Sequence, residues 1–243
     1  MCKNYQEIKA MKENNRQVYL YETSEYGMHL VSEDIYLAIL ADESIDSISK
    51  WYAIKAIGEL KEDKYIPVLI EVLKKQNESV GETSLHLIAA RSLGKIGSAA
   101  VPFVTSLLNS DCSTETQIAA ADTLGEIGSI DGIPALIEIV KSKPNNIAVW
   151  ACLSLSKIGI PTVNEQIRIF DSLPDEKKLI VMDSLMRIAD NTALEFVAEQ
   201  FLQNERFYNT FKNSQIGVFA NSMNALKDTN PMMYRKLEEK NNG

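Results

Sequence analysis

The phrase SLGKIGSAAVP at residues 92–102 returns as TLGEIGSIDGIP at residues 123–134. Aligned on its first glycine, GELKEDKYIPVLIEVL begins at Gly58, GKIGSAAVPFVTSLL at Gly94 and GEIGSIDGIPALIEIV at Gly125. SKIGIPTVNEQIRIF follows from Ser156, and a worn copy, MRIADNTALEFVAEQF, from Met186. The steps are 36, 31, 31 and 30 residues. A fixed period of this size means one small supersecondary unit copied along the chain. Such a unit cannot bury its apolar face alone, so the copies must stack.

Each copy reads as two helices. Alanines stand five residues before the aligned slot, at Ala53, Ala89, Ala120 and Ala151, and large apolar residues stand one before it, at Ile57, Leu93, Leu124 and Leu155. Small residues beside large ones on one face let a neighbouring helix come close. Gly97, Gly128 and Gly159 follow three residues after the slot, where a left-handed glycine closes a helix. The second helix opens near Pro67, Pro102 and Pro134, because first-turn amides have no intrahelical partner to lose. Ile66, Leu69, Ile70 and Leu73 then form one apolar stripe. Ile133, Leu136, Ile137 and Val140 repeat it, as do Leu194, Val197, Ala198 and Phe201. Only 11 glycines and 7 prolines in 243 residues agree with a helical chain and short connections.

The Ala-x-x-(small)-Leu-Gly-x-Ile-Gly phrase, with its Ile/Val-Pro and Leu-Ile-x-x-Leu continuation, resembles HEAT repeats in their short, phycobilisome-lyase-type form. The resemblance covers roughly residues 46–203. It implies an all-α, right-handed α-α superhelix, a solenoid of about five helix pairs with atypical capping ends. Residues 1–45 would cap the start, 46–203 carry the repeats and 204–243 form a C-terminal helical cap, all in one continuous domain. The family often carries Arg three residues before the alanine. Here those slots hold Lys50, His86, Gln117 and Ala148, so no Arg ladder is expected.

The ends depart from the pattern. RQVYLYETSEYGMHLVS, residues 16–32, suggests a hairpin within 17–31 that turns at Gly27, and SEDIYLAILAD reads as a helix capped by Ser32. SQIGVFANSMNALKD and TNPMMYRKLEEK read as terminal helices. The polar insertion around residues 76–84 reads as a surface loop.

No catalytic constellation is visible. Neither histidine, His29 nor His86, is followed by Glu, so the His-Glu pairs of iron-binding HEAT hydroxylases are missing. There is no zinc spacing, no phosphate loop and no nucleophile elbow. The chain is therefore expected to be no enzyme and to need no cofactor and no metal. Cys2, Cys112 and Cys152 match no redox motif, and a reduced, cytoplasmic setting is expected. Cys152 is expected in the core and Cys112 in a loop. Trp51 and Trp150 are expected to pack at or next to core positions. A net charge of −8 argues against a nucleic-acid surface, and no stretch is long and apolar enough for a membrane.

What remains is a protein-protein interaction scaffold or adaptor, one version being an immunity or regulatory protein that masks a basic partner. The resemblance leaves an alternative: a lyase-type enzyme or subunit related to bilin attachment, or a HEAT-like DNA repair glycosylase. It also implies that second helices line a concave binding side. Counting from Pro67, Pro102, Pro134, Asn164 and Glu195, the next residue is Val68, Phe103, Ala135, Glu165 or Phe196. Four after it stand Glu71, Ser106, Glu138, Arg168 and Glu199. Phe103 and Phe196 would serve as aromatic anchors and Glu71, Ser106, Glu138, Arg168 and Glu199 as the polar row between them.

Overall fold

The computed structural model describes residues 33–75, 79–80, 83–214 and 216–242. The expected hairpin within 17–31, with Gly27 and His29, lies outside these residues, as does Cys2. Fourteen α-helices occur among the described residues. They are α1 (Glu33–Ala41), α2 (Ser47–Leu60), α3 (Ile66–Lys74), α4 (Leu85–Ile96), α5 (Val101–Leu108), α6 (Thr114–Ile127) and α7 (Ile133–Ser142). α8 (Asn145–Ile158), α9 (Val163–Phe170), α10 (Asp175–Ile188) and α11 (Asn191–Gln203) continue the pattern. α12 (Glu205–Ser214), α13 (Ile216–Thr229) and α14 (Pro231–Asn242) end it. The fold is all-α, a chain of repeated helix pairs. No single helix among the described residues is long and apolar enough to cross a membrane.

The chain divides into two compact units, Met1–Ser129 and Ile130–Gly243. The division falls inside the third copy of the repeat, between its two helices.

In the first unit, helix starts follow the capping chemistry of the sequence. The Asp46 carboxylate accepts from the Ser49 amide at 2.9 Å, and the Ser84 and Ser113 hydroxyls accept from Leu87 and Thr116 at 3.2 Å. First helices then stack on one another through their small residues. Ala53, Ala89 and Ala120 have no exposed surface. The Ser92 hydroxyl of α4 donates to the Ile54 carbonyl of α2 at 3.0 Å. A β-carbon placed on Gly94 would lie 2.7 Å from the Glu126 carbonyl oxygen. The glycines of the phrase therefore do two jobs: the slot glycine admits the next helix, and the one three residues later ends its own.

That later position has positive φ in every copy. Gly128 is left-handed, at φ 69° and ψ 12°, while Gly97 and Gly159 turn out at ψ −151° and −143°, a region open only to glycine. Lys61 and Ala189 hold the same place at φ 56° and 55°. Each second helix of the first four copies is entered through a short 3-10 turn, at Asp63–Tyr65, Ser98–Ala100, Ile130–Gly132 and Ile160–Thr162. The insertion is more than a loop. Ser79–Val80 pairs antiparallel with Thr83–Ser84, so the backbone polar groups there find partners in a two-residue ladder.

In the second unit the same stacking recurs. The Ser184 hydroxyl of α10 donates to the Cys152 carbonyl of α8 at 2.9 Å. Cys152 is in the core, as expected. Cations and a histidine near the starts or ends of helices bind neighbouring carbonyls; of them only His86 stands in an aligned Arg slot. Lys177, in the first turn of α10, is buried and donates to the Lys141 carbonyl at the end of α7 at 2.8 Å. In the first unit His86 Nε2 meets the Lys75 carbonyl past the end of α3, and in the second Lys240 meets that of Leu202. These side chains sit against carboxyl ends of helices, where carbonyls lack amide partners and positive charge is favoured. Ala148 is fully buried and plays no such part.

The C-terminal helices continue the stacking in altered register. Ser92 and Ser184 each reach the carbonyl four residues before the preceding slot. Ser222 of α13 reaches the carbonyl of Met186, which is the slot itself, at 3.1 Å. The added core there is aromatic: Phe201 meets Tyr208, Phe211 and Phe219 at ring-centroid distances of 5.6, 5.8 and 5.9 Å.

Candidate functional site

The second helices present the residues singled out above. Their stripe at one before and two, three and six after the aligned position is buried in α3, α7 and α11. Helical geometry then carries position four to the opposite side. Glu71, Ser106, Glu138, Arg168 and Glu199 are all exposed. Glu71 and Ser106 belong to the first unit, Glu138, Arg168 and Glu199 to the second.

The charges on these helices are locally compensated. Lys74 lies 2.7 Å from Glu71, and Lys141 lies 3.2 Å from Glu138. Arg168 donates through Nε to Glu165 at 3.0 Å. Each pair is one helical turn apart and open to solvent, so each contributes little to stability and can exchange for another ionic contact at small cost.

The two aromatics differ. Phe103 of α5 is 48% exposed. Phe196 of α11 is half-buried and packs edge-on against Phe170, centroids 5.0 Å apart. Phe103 is thus an available anchor, and Phe196 is committed to packing between second helices. Ala135 and Val68 are half-buried, as befits the flank of a stripe.

A different region was missed by the repeat-based reading. In the second unit a cleft of about 420 Å³ opens beside the ends of α8 and α10 and the first half of α13. It is lined by Ser156, Lys157, Met186, Arg187, Ala189, Val218, Asn221 and Ser222. Trp150 also departs from expectation. It is 39% exposed and its neighbour Val149 is 38% exposed. Residues seven and six before each slot are apolar in every copy, a pattern that points to packing, so nothing in the sequence sets this pair apart as exposed.

No group of three or more His, Cys, Asp or Glu side chains able to hold a metal occurs among the described residues. Cys152 is an unpromising nucleophile. Burial, and then the Asp183 carboxylate, push its thiol far above the ordinary value of 9.0, and Lys177 offsets this only in part.

Residues 82–156 match the family of HEAT repeats, and residues 49–75 match the PBS lyase HEAT-like repeat. Among solved structures, an engineered protein from a structural genomics programme is 19% identical, with 80% of this chain and 95% of that chain covered and a TM-score of 0.44. The complex of CpcE and CpcF of phycocyanin lyase from Nostoc sp. PCC7120 is 16% identical, with 91% and 98% covered and a TM-score of 0.43. No curated protein shows significant similarity to the sequence.

Proposed function

We propose, from the premise that this chain belongs to the HEAT-repeat family, that it is a non-catalytic scaffold or adaptor for a basic protein partner. The partner would lie along the second helices. The exposure of Glu71 and Ser106 with Phe103 in the first unit, and of Glu138, Arg168 and Glu199 on the second helices of the second, is the observation that carries this reading. Three of the five polar residues are acids, and the whole chain has a net charge of −8, which steers a cationic partner toward it. An aromatic within a polar surround is the composition of a binding hot spot. A protein that masks its partner, as immunity and regulatory proteins do, needs no more than this.

The test is capture of the partner from cell extract by wild type and by two variants, Phe103→Ala and Glu138→Lys. Both should retain less partner while melting normally. Undiminished capture by both, with loss of capture on altering residues 76–84, would move the working surface elsewhere.

The match of residues 49–75 to the PBS lyase HEAT-like repeat favours a second reading, a subunit of a lyase-type enzyme. Covalent transfer of a bilin to an acceptor protein on adding this chain would establish that reading instead. Binding to duplex DNA is not expected from so acidic a chain; submicromolar, steeply salt-dependent binding would sink the scaffold reading.

A further inference from the structure

The solvent face of α8 carries Asn146, Val149, Trp150, Leu153 and Lys157, spaced as one helical face. The corresponding face of α10 carries Glu176, Leu179, Ile180, Asp183 and Arg187. The Ser184–Cys152 hydrogen bond fixes the two helices side by side. The middle of this surface is apolar, with Trp150 and Val149 well exposed and Leu153, Leu179 and Ile180 half-exposed. Apolar residues recur at these places in the other copies, but of them only Val149 and Trp150 are well exposed, and large exposed side chains grouped together mark a contact surface. A tryptophan with a polar rim is the commonest kind of anchor.

One end of the surface runs into the cleft described above. Lys157 lies seven residues beyond Trp150, and Arg187 seven beyond Ile180, about 10 Å along the same face in each helix. The cleft lining includes these two cations, the hydrogen-bonding side chains of Ser156, Asn221 and Ser222, and no carboxylate. In a chain with 33 acidic residues and 25 lysines and arginines that is a local reversal of sign. Asp183 pairs with Arg187 at 2.7 Å from outside the lining. The pairing holds the guanidinium at the cleft mouth and is exposed enough to be exchanged.

We propose that this face of α8 and α10 is a docking surface for an amphipathic helix of a partner protein with acidic residues at one end. Its apolar side chains cover Trp150 and Val149, and its carboxylates enter the cleft beside Lys157 and Arg187. The site lies wholly in the second unit and on first helices. It is independent of the second-helix row and calls for a partner segment of opposite charge.

The test uses the full chain carrying Trp51→Phe, which leaves Trp150 as the only tryptophan of the two. The probe is a labelled helical peptide with a leucine stripe and glutamates in its first turn. A second peptide carries lysines in place of the glutamates. The glutamate peptide should bind and shift Trp150 emission to the blue, and the lysine peptide should not. Lys157→Glu with Arg187→Glu should weaken binding by about tenfold or more, and Trp150→Gln should abolish it with the helical spectrum unchanged. No binding of the glutamate peptide overturns the proposal, as does equal binding of the lysine peptide or indifference to the charge reversals. A blue shift on vesicles of anionic phospholipid without any peptide binding would assign the face to a membrane instead.

Discussion

A β-carbon on Gly58 would lie 2.6 Å from the β-carbon of Ser92. The glycine exists so that α2 and α4 can touch, and Ser92 uses the contact to reach the Ile54 carbonyl. Gly58→Ala should therefore cost a net 1–3 kcal/mol, roughly the usual cost of overpacking. Ser92→Ala should cost about 1 kcal/mol for the lost buried hydrogen bond. The two sites touch, so Ser92→Gly should recover only part of the Gly58→Ala loss, because the Ser92 α-carbon would still lie 2.8 Å from the new β-carbon. No side-chain change can do so for Gly94→Ala, whose obstacle is the Glu126 backbone. Urea denaturation of the single and double variants reads both outcomes.

Leu93 and Leu124 are almost fully buried at equivalent positions of α4 and α6. Leu93→Ala and Leu124→Ala should each cost roughly 2–5 kcal/mol. Unchanged denaturation midpoints would contradict the packing described for the first unit.

The closing position of the repeat offers a gain. Ala189 is left-handed at φ 55°, a conformation that strains an L-residue by about 1–2 kcal/mol. Ala189→Gly removes the strain but gives the unfolded chain more freedom, so a net gain of about 0.5–1 kcal/mol is expected. Gly159→Ala should be destabilising by more than that gain, because Gly159 sits at φ 87° and ψ −143°. Thermal melting of both variants checks the sign.

Cys152 makes stability depend on alkaline pH. Its folded thiol is raised above 9.0, mainly by burial and then by Asp183. Below that pH both states keep the proton. Above it the unfolded thiol ionises while the folded one stays neutral, so the unfolded state binds fewer protons. Stability should then fall with rising pH by about 1.4 kcal/mol per unit from this group. Lys177 acts in the opposite sense: burial lowers its folded value from 10.5, so its contribution rises as pH climbs toward 10.5. Comparing wild type with Cys152→Ala isolates the thiol. The variant should show a shallower decline above pH 9.0; parallel curves would mean that Cys152 ionises freely in the folded protein.

Much of the fold was written in the order of residues. The 31-residue return of Leu-Gly-x-Ile-Gly, the alanines five before it and the prolines after it specify helix, closure, helix and stripe. These are short-range properties, since spacing alone places a residue on a face and a missing β-carbon alone permits positive φ. Lys61 and Ala189 in the closing position show the limit of that rule, because both take positive φ with a β-carbon.

Exposure and charge at the candidate surfaces came from contacts between distant residues. Phe103 and Phe196 occupy the same place in their copies, yet only Phe196 finds Phe170 beside it. Trp150 has the spacing of a packed residue and is nevertheless 39% exposed. The cleft beside Lys157 and Arg187 forms where α8, α10 and α13 meet, with Ser222 held on the Met186 carbonyl. The sequence by itself determined the repeating unit and its buried stripe, since both arise from neighbours within a few turns. Only the tertiary structure decided which side chains are left uncovered, since that depends on how closely each helix settles on the next.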